Sequence, residues 1–284
     1  MLKSIQNNFL YVSAFSMGAE LEAIRSRQSG RDFLWCGDPS VWPRKAPILF
    51  PVVGKLIDDR LKLEDGIYPM PKHGFAKTTE FTCTQCDQTS MTFTLEQNEA
   101  TVVHYPFCFR LDVTYSLEGS ALAVSYKITN TGDQSLPFSV GGHPGFACEL
   151  GDKLVFSHNE TALSYVMNEN KYLSGAKDVF HGGNELVITS ELFEEDALIF
   201  EGLNSDAVTL QGADYQVIVD LGGCPYLGIW AMPGAPYVCI EPWYGIDDFA
   251  DADCNFTHKK GVVILPPSET FTYTYHITCE EVLS

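Results

Sequence analysis

Phe109-Arg110-Leu111-Asp112-Val113-Thr114-Tyr115 and Leu122-Ala123-Val124-Ser125-Tyr126-Lys127-Ile128 alternate apolar and polar residues without a break. A period of two belongs to the β-strand, because successive side chains there point to opposite faces. Glu118-Gly119-Ser120 lies between the two runs and supplies the turn of a hairpin. Working outward, Met91-Thr92-Phe93-Thr94-Leu95 and Phe271-Thr272-Tyr273-Thr274-Tyr275-His276-Ile277 carry the same pattern, rich in aromatic and β-branched residues. Helical periodicity is scarce; Ser190 to Ala197 is expected to form one short helix with Ser190 as its N-cap. The 23 glycines and 15 prolines are spread along the whole chain and mark no linker. The expectation is an all-β fold, a large antiparallel β-sandwich, built as a single domain over residues 1–284.

The charge narrows the function classes. Lys and Arg number 18 against 37 Asp and Glu, a formal net charge of −19. That excess opposes a nucleic-acid partner, whose affinity rests on cation–phosphate contacts, and opposes docking on an anionic membrane. No apolar run reaches the length of a transmembrane helix. Met1 to Phe15 reads as the first strand of the fold and not as a secretion signal. Nine cysteines, an odd number in a long chain, fit reduced thiols and a cytoplasmic location better than a disulfide scaffold. Cys83 and Cys86 form a lone C-x-x-C, expected on a β-turn, with no second ligand pair nearby. The sequence leaves the oligomeric state open.

Four segments depart from the strand pattern. They are Trp42-Pro43-Arg44-Lys45-Ala46-Pro47-Ile48-Leu49-Phe50-Pro51-Val52-Val53-Gly54-Lys55, Lys72-His73-Gly74-Phe75-Ala76, Ser139-Val140-Gly141-Gly142-His143-Pro144-Gly145-Phe146, and Gly228 to Pro233 followed by Cys239-Ile240-Glu241-Pro242-Trp243-Tyr244-Gly245. Each holds polar groups between residues that restrict or free the backbone. Singly, each has a plain alternative: a turn histidine, a carboxylate at a strand end, a tryptophan of the core. Together, two histidines and a glutamate flanked by Ile240, Pro242 and Trp243 point to general acid–base chemistry, with Trp230 and Trp243 available to stack on a ligand ring. No nucleophile elbow, phosphate-cradling loop, dinucleotide fingerprint or zinc-protease motif occurs, so neither cofactor nor metal is implied.

In this order the four segments resemble the aldose 1-epimerase (galactose mutarotase) family, in its shorter bacterial-type branch. The similarity runs from about Ser16 to about Thr278. It rests on W-x-x-x-A-P-I-L-F-P, H-G-F-A, G-x-H-P-x-F and E-P-W, with Asp196-Ala197-Leu198-Ile199-Phe200 as the acidic segment between the last two. The resemblance implies a supersandwich with an open cleft on one sheet. It implies interconversion of the α- and β-anomers of a small-molecule sugar without a cofactor. His143 would protonate the ring oxygen O5, Glu241 would take the proton of the anomeric hydroxyl, His73 would assist near O5, and Asp196 would accept from sugar hydroxyls. Which histidine is the principal acid stays open. Where longer relatives carry Asn-Arg, this chain has Gly54-Lys55-Leu56, so Lys55 would donate to sugar hydroxyls as a point charge without a guanidinium fork. Two further readings follow. One is a hexose-6-phosphate 1-epimerase, with Arg44, Lys45 and Arg60 as phosphate candidates. The other is a non-catalytic carbohydrate-binding module using Trp230 and Trp243 as platforms.

Overall fold

The computed structural model describes residues 1–281; the last three residues of the 1–284 span lie outside them. Two large sheets dominate. One has nine strands, in spatial order Glu185–Val187, Lys153–Phe156, Ala207–Gln211, Tyr215–Asp220, Thr270–Glu281, Ala121–Asn130, Phe109–Glu118, Ser90–Glu96 and Thr82–Cys86. The other runs Leu173–Lys177, Ser164–Met167, Leu198–Glu201, Tyr226–Trp230, Tyr237–Tyr244, Val140–Gly142 and Ile48–Leu49, with Gly145–Ala147 also against Tyr237–Tyr244. A three-stranded sheet of Leu2–Gln6, Leu10–Phe15 and Leu21–Ser26 accompanies them. The ladders within the two large sheets are antiparallel. The fold is the expected large antiparallel β-sandwich.

The alternating runs explain the middle of the larger sheet. Glu118 pairs with Ala121 across the expected hairpin, and Tyr126 stands opposite both Val113 and Tyr273. Leu122, Val124, Tyr126 and Ile128 thereby share one face with Leu111, Val113 and Tyr115 on one side and Tyr273, Tyr275 and Ile277 on the other, all buried. This face packs on the smaller sheet: the Tyr273 and Tyr244 ring centroids lie 4.8 Å apart, and those of Phe156 and Phe200 6.1 Å apart. Burial of each such side chain stabilises by about 1.5–3 kcal/mol.

Three local expectations are corrected. Ser190–Ala197 holds only a single 3₁₀ turn, Glu191–Phe193, and Ser190 has helical backbone angles with no side-chain cap. The segment lacks the length to repay helix nucleation. Met1–Phe15 is a hairpin of two strands, because Asn7 accepts from the N–H groups of Phe9 and Leu10 and turns the chain. Cys83 and Cys86 lie on the edge strand Thr82–Cys86 and not on a turn. No helix among the described residues is long and apolar enough to cross a membrane.

Ile128 is fully buried while its neighbour Lys127 is exposed. Ile128→Ala should lower the unfolding free energy by about 2–5 kcal/mol, and Lys127→Ala should change it by less than about 0.5 kcal/mol. Urea unfolding followed by fluorescence measures both.

Candidate active site

The site grows from strand Tyr237–Tyr244. Its Val238, Ile240 and Tyr244 face the other sheet, and Tyr237, Cys239, Glu241 and Trp243 share the opposite face by the strand's alternation. Gly141 pairs with Trp243 and Gly145 with Cys239, so the same antiparallel register sets His143 opposite Glu241. The pairing between them opens at His143-Pro144, where the His143 N–H donates to the Pro47 carbonyl and the Ile240 N–H to that of Pro144. On the other side Glu241 faces Gly228. Glycine is required at both flanks: a Cβ would come within 2.6 Å of the Trp243 ring at Gly141 and 2.5 Å at Gly228. The result is that His143 Nε2 lies 3.3 Å from Glu241 Oε2.

His73 closes the site from the far side of the first motif. Its φ of +66° is unusual for a residue with a Cβ. Two hydrogen bonds hold it there: its N–H donates to the Gly54 carbonyl at 2.8 Å, and its Nδ1 accepts from the Gly54 N–H at 3.1 Å. An accepting Nδ1 puts the proton of the neutral ring on Nε2, so His73 is fixed as a donor. The His73 and His143 rings meet edge to face at 5.6 Å. Trp42 stacks on His143 at 5.1 Å, and Trp230 stands edge-on to it at 5.7 Å.

These groups open onto a cavity of about 460 Å³, a size typical of small-molecule sites. His73, His143, Glu241, Asp196 and Trp230 line it. Asp196 is engaged already: Lys171 Nζ bonds one carboxylate oxygen at 2.6 Å, and its neighbour Ala197 N–H bonds the other at 2.8 Å. Burial pushes that carboxyl up, but these two bonds outweigh burial and hold it below its usual value. Lys55 does not line the cavity. Its ammonium contacts the Asn170 carbonyl at 3.2 Å and lies over the Tyr172 ring. Its backbone N–H instead holds Asp247 Oδ1 at 2.7 Å. Arg44 and Lys45 also lie away from the cavity, paired with Glu20 and Glu22, and Arg60 lines a separate depression.

Sequence reasoning missed Asp247, Lys72 and Lys171, all on the cavity wall. Lys72 precedes the motif histidine and Asp247 follows E-P-W-Y-G-I, so both sat within reach of recognised segments. Lys171 carried no motif signal. Burial raises the Asp247 carboxyl above its usual range, with the Lys72 charge opposing.

Electrostatics in the pair is governed by burial. It drives His143 down to about 3, helped by the Lys72 charge. It raises Glu241 well above an ordinary carboxylate, against the pull of Lys72. Glu241 Oε2 and His143 Nδ1 are both buried without a hydrogen-bond partner. Both partners are therefore driven toward their neutral forms, a carboxylic acid beside a neutral imidazole.

A family profile described as "Aldose 1-epimerase" matches residues 1–278. The chain belongs to the aldose 1-epimerase family. It is 28% identical to the plasmid and the chromosomal protein LacX of Lactococcus lactis subsp. lactis, covering 98% of this chain and 99% of theirs. Among solved structures, a galactose mutarotase related enzyme from Lactobacillus acidophilus matches with 31% identity and a TM-score of 0.94, over 100% of this chain and 99% of that one. A galactose mutarotase-like protein from Lactobacillus casei matches with 28% identity and a TM-score of 0.93, over 99% and 100%. Aldose 1-epimerases act on sugars, and both family and fold support a mutarotase-like function.

Burial also leaves a mark on stability. Burial drives His73 well below an ordinary histidine, followed in weight by the Lys72 and His143 charges. The unfolded chain therefore takes up protons below pH 6.5 that folded His73 and His143 refuse. Each of these histidines takes away stability as pH drops through that window, by about 1.4 kcal/mol per pH unit for each proton withheld, and the raised carboxyls of Glu241 and Asp247 act with the opposite sign. Unfolding free energies from urea between pH 7 and pH 5 test the histidine share: His73→Asn, which keeps an acceptor for Gly54, should lose less stability than the wild type, or gain more, over the same acidification.

Proposed function

We propose that the chain is a cofactor-free aldose 1-epimerase that interconverts the α- and β-anomers of a hexose. The observation that carries the reading is the buried His143–Glu241 pair, 3.3 Å apart at the wall of a sugar-sized cavity. O1 and O5 of a pyranose hang on one carbon, so an acid and a base that serve them must stand side by side.

The pair works as a unit holding one proton. With the proton on Glu241, His143 takes the proton of the anomeric hydroxyl while Glu241 gives its own to O5, and the C1–O5 bond breaks. The open-chain aldehyde then faces an imidazolium and a carboxylate. Rotation about C1–C2 presents the other carbonyl face. On reclosure O5–H returns its proton to Glu241, and the imidazolium protonates O1. This direction of transfer is the inverse of the one the family resemblance implies, and the burial of both groups supports it. His73 Nε2–H steadies the oxygen that gathers charge. Asp247 and Asp196 accept from the remaining hydroxyls, and Trp230 lies against the ring's apolar face.

Lys72 makes no ion pair among the described residues although it lines the cavity. That observation favours a second reading, a hexose 6-phosphate as substrate, with Lys72 as phosphate partner in place of the arginines considered from sequence. Competition between galactose and glucose 6-phosphate in one assay separates the two.

Polarimetry of freshly dissolved α-hexose tests the main reading. Glu241→Gln or His143→Gln should slow enzymatic mutarotation by on the order of 10²–10⁴; wild-type rates at the buffer background with every hexose and hexose 6-phosphate would refute it. The pH profile of kcat/KM tests the shared proton. It should stay level through pH 6.5 and decline on the acid side only toward about 3. The alkaline decline reports loss of the pair's last proton. Limbs at the ordinary 4.5 and 6.5 of an independent carboxylate and imidazole would rule the shared proton out.

A further inference from the structure

We propose that His143, Glu241 and Cys239 form an inhibitory binding site for a thiophilic divalent cation, of which zinc is the type. One ligand atom from each of the three lies within 4.8 Å of the other two, and all three residues are buried. The set combines imidazole, thiol and carboxylate, the donors that zinc selects and that magnesium and calcium do not. Cys239 and Glu241 are two residues apart on one strand and project from the same face, with His143 in register opposite Glu241 and Gly145 opposite Cys239. Ligand atoms sharing one zinc stand roughly 3.3–3.8 Å apart, given bonds of about 2.0 Å to N and O and 2.3 Å to S. The His143–Glu241 separation of 3.3 Å already meets that spacing, and the Cys239 thiol stands within 4.8 Å of both.

A second observation points the same way. Glu241 Oε2, the atom that lies 3.3 Å from His143 Nε2, is a buried acceptor with no hydrogen-bond partner. An unmet acceptor in a protein interior costs free energy, and a cation bound to that oxygen relieves the cost. The metal enters through the sugar cavity, on whose wall His143 and Glu241 lie. Cys239 stands behind them and is not part of that wall. Binding displaces the thiol proton and the proton shared by the pair to solvent, giving a thiolate, a neutral imidazole and a carboxylate on one ion. The fourth position faces the cavity and takes water. A pair so occupied has neither a proton to give nor a lone pair to receive one, and anomerisation stops.

The inference goes beyond the epimerase reading, and its binding readouts do not depend on turnover. Zinc chloride is titrated against the full chain by calorimetry, and cobalt chloride by absorbance, with and without a hexose. One zinc should bind in competition with the sugar, more tightly as pH rises. Cobalt should give a thiolate charge-transfer band that the sugar abolishes. Magnesium should neither bind there nor slow mutarotation. Cys239→Ala, which leaves the acid–base pair intact, should keep sugar turnover within about twofold and weaken zinc binding on the order of 100-fold. Zinc held at the exposed thiols instead, such as Cys83 and Cys86 on the edge strand, would be indifferent to sugar and to Cys239→Ala. That result, or a wild-type cobalt complex without a thiolate band, overturns the proposal. If Cys239→Ala fails to fold, the sugar-sensitive cobalt band of the wild type still decides it.

Discussion

Everything at the site depends on a single antiparallel register. The ladder that joins Gly141 to Trp243 and Gly145 to Cys239 leaves His143 and Glu241 as the pair between them. A slip of one residue would turn Glu241 toward the other sheet and leave an ionisable group in an apolar core. The register is held because the other face of the same strand carries Val238 and Ile240 into that core. Packing energy spread over the sandwich thus fixes a distance of 3.3 Å between two side chains.

Burial then decides the chemistry. Neither member of the pair is comfortable with charge, and together they retain one proton at neutral pH, where separate groups in water would be a carboxylate and a largely neutral imidazole. The surroundings enforce this. Trp42 covers one face of the His143 ring, Trp230 and His73 meet it edge-on, and the backbone clamp at Gly54 keeps His73 itself neutral. Lys72 supplies positive charge from the cavity wall, which lowers His143 further and draws Glu241 partly back toward ionisation. Its effect on both partners has the same sign, the release of protons, so the hold of the pair on its proton is sensitive to whatever neutralises Lys72.

The sequence was most legible where one face of a sheet is wet. Phe109–Tyr115 and Leu122–Ile128 alternate because Arg110, Thr114 and Lys127 reach solvent, and the hairpin between them falls where the turn signal put it. Tyr237–Tyr244 has no wet face to set against a dry one, since its cavity face is buried as well, and period alone does not reveal that it presents Glu241 to the cavity. The motif residues His73, His143 and Glu241, which the structure brings to one cavity, were singled out by their glycine and proline neighbours, whose role is visible as room for the Trp243 ring and as the clamp on His73. Lys55 misled because its side chain and its backbone do different work: the ammonium turns away to Asn170 while the N–H holds Asp247. Backbone hydrogen bonds leave no mark on residue identity, so nothing in the sequence joined Asp247 to Lys55.

A reaction whose forward and reverse directions are nearly the same step has particular needs. Ring opening and reclosure each require one proton to leave an oxygen and one to arrive, and the enzyme must end as it began. Any acid and base that exchange protons with O1 and O5 on opening exchange them back on reclosure, so in the proposed mechanism the pair is regenerated without solvent. A pair that burial brings toward a common preference for neutrality passes its single proton either way and resets itself on reclosure. The same lack of outside partners leaves Glu241 Oε2, beside His143 Nε2, open to any cation that reaches it, with the Cys239 thiol close behind. Susceptibility to a thiophilic metal is in this sense a consequence of the acid–base design and not a separate device.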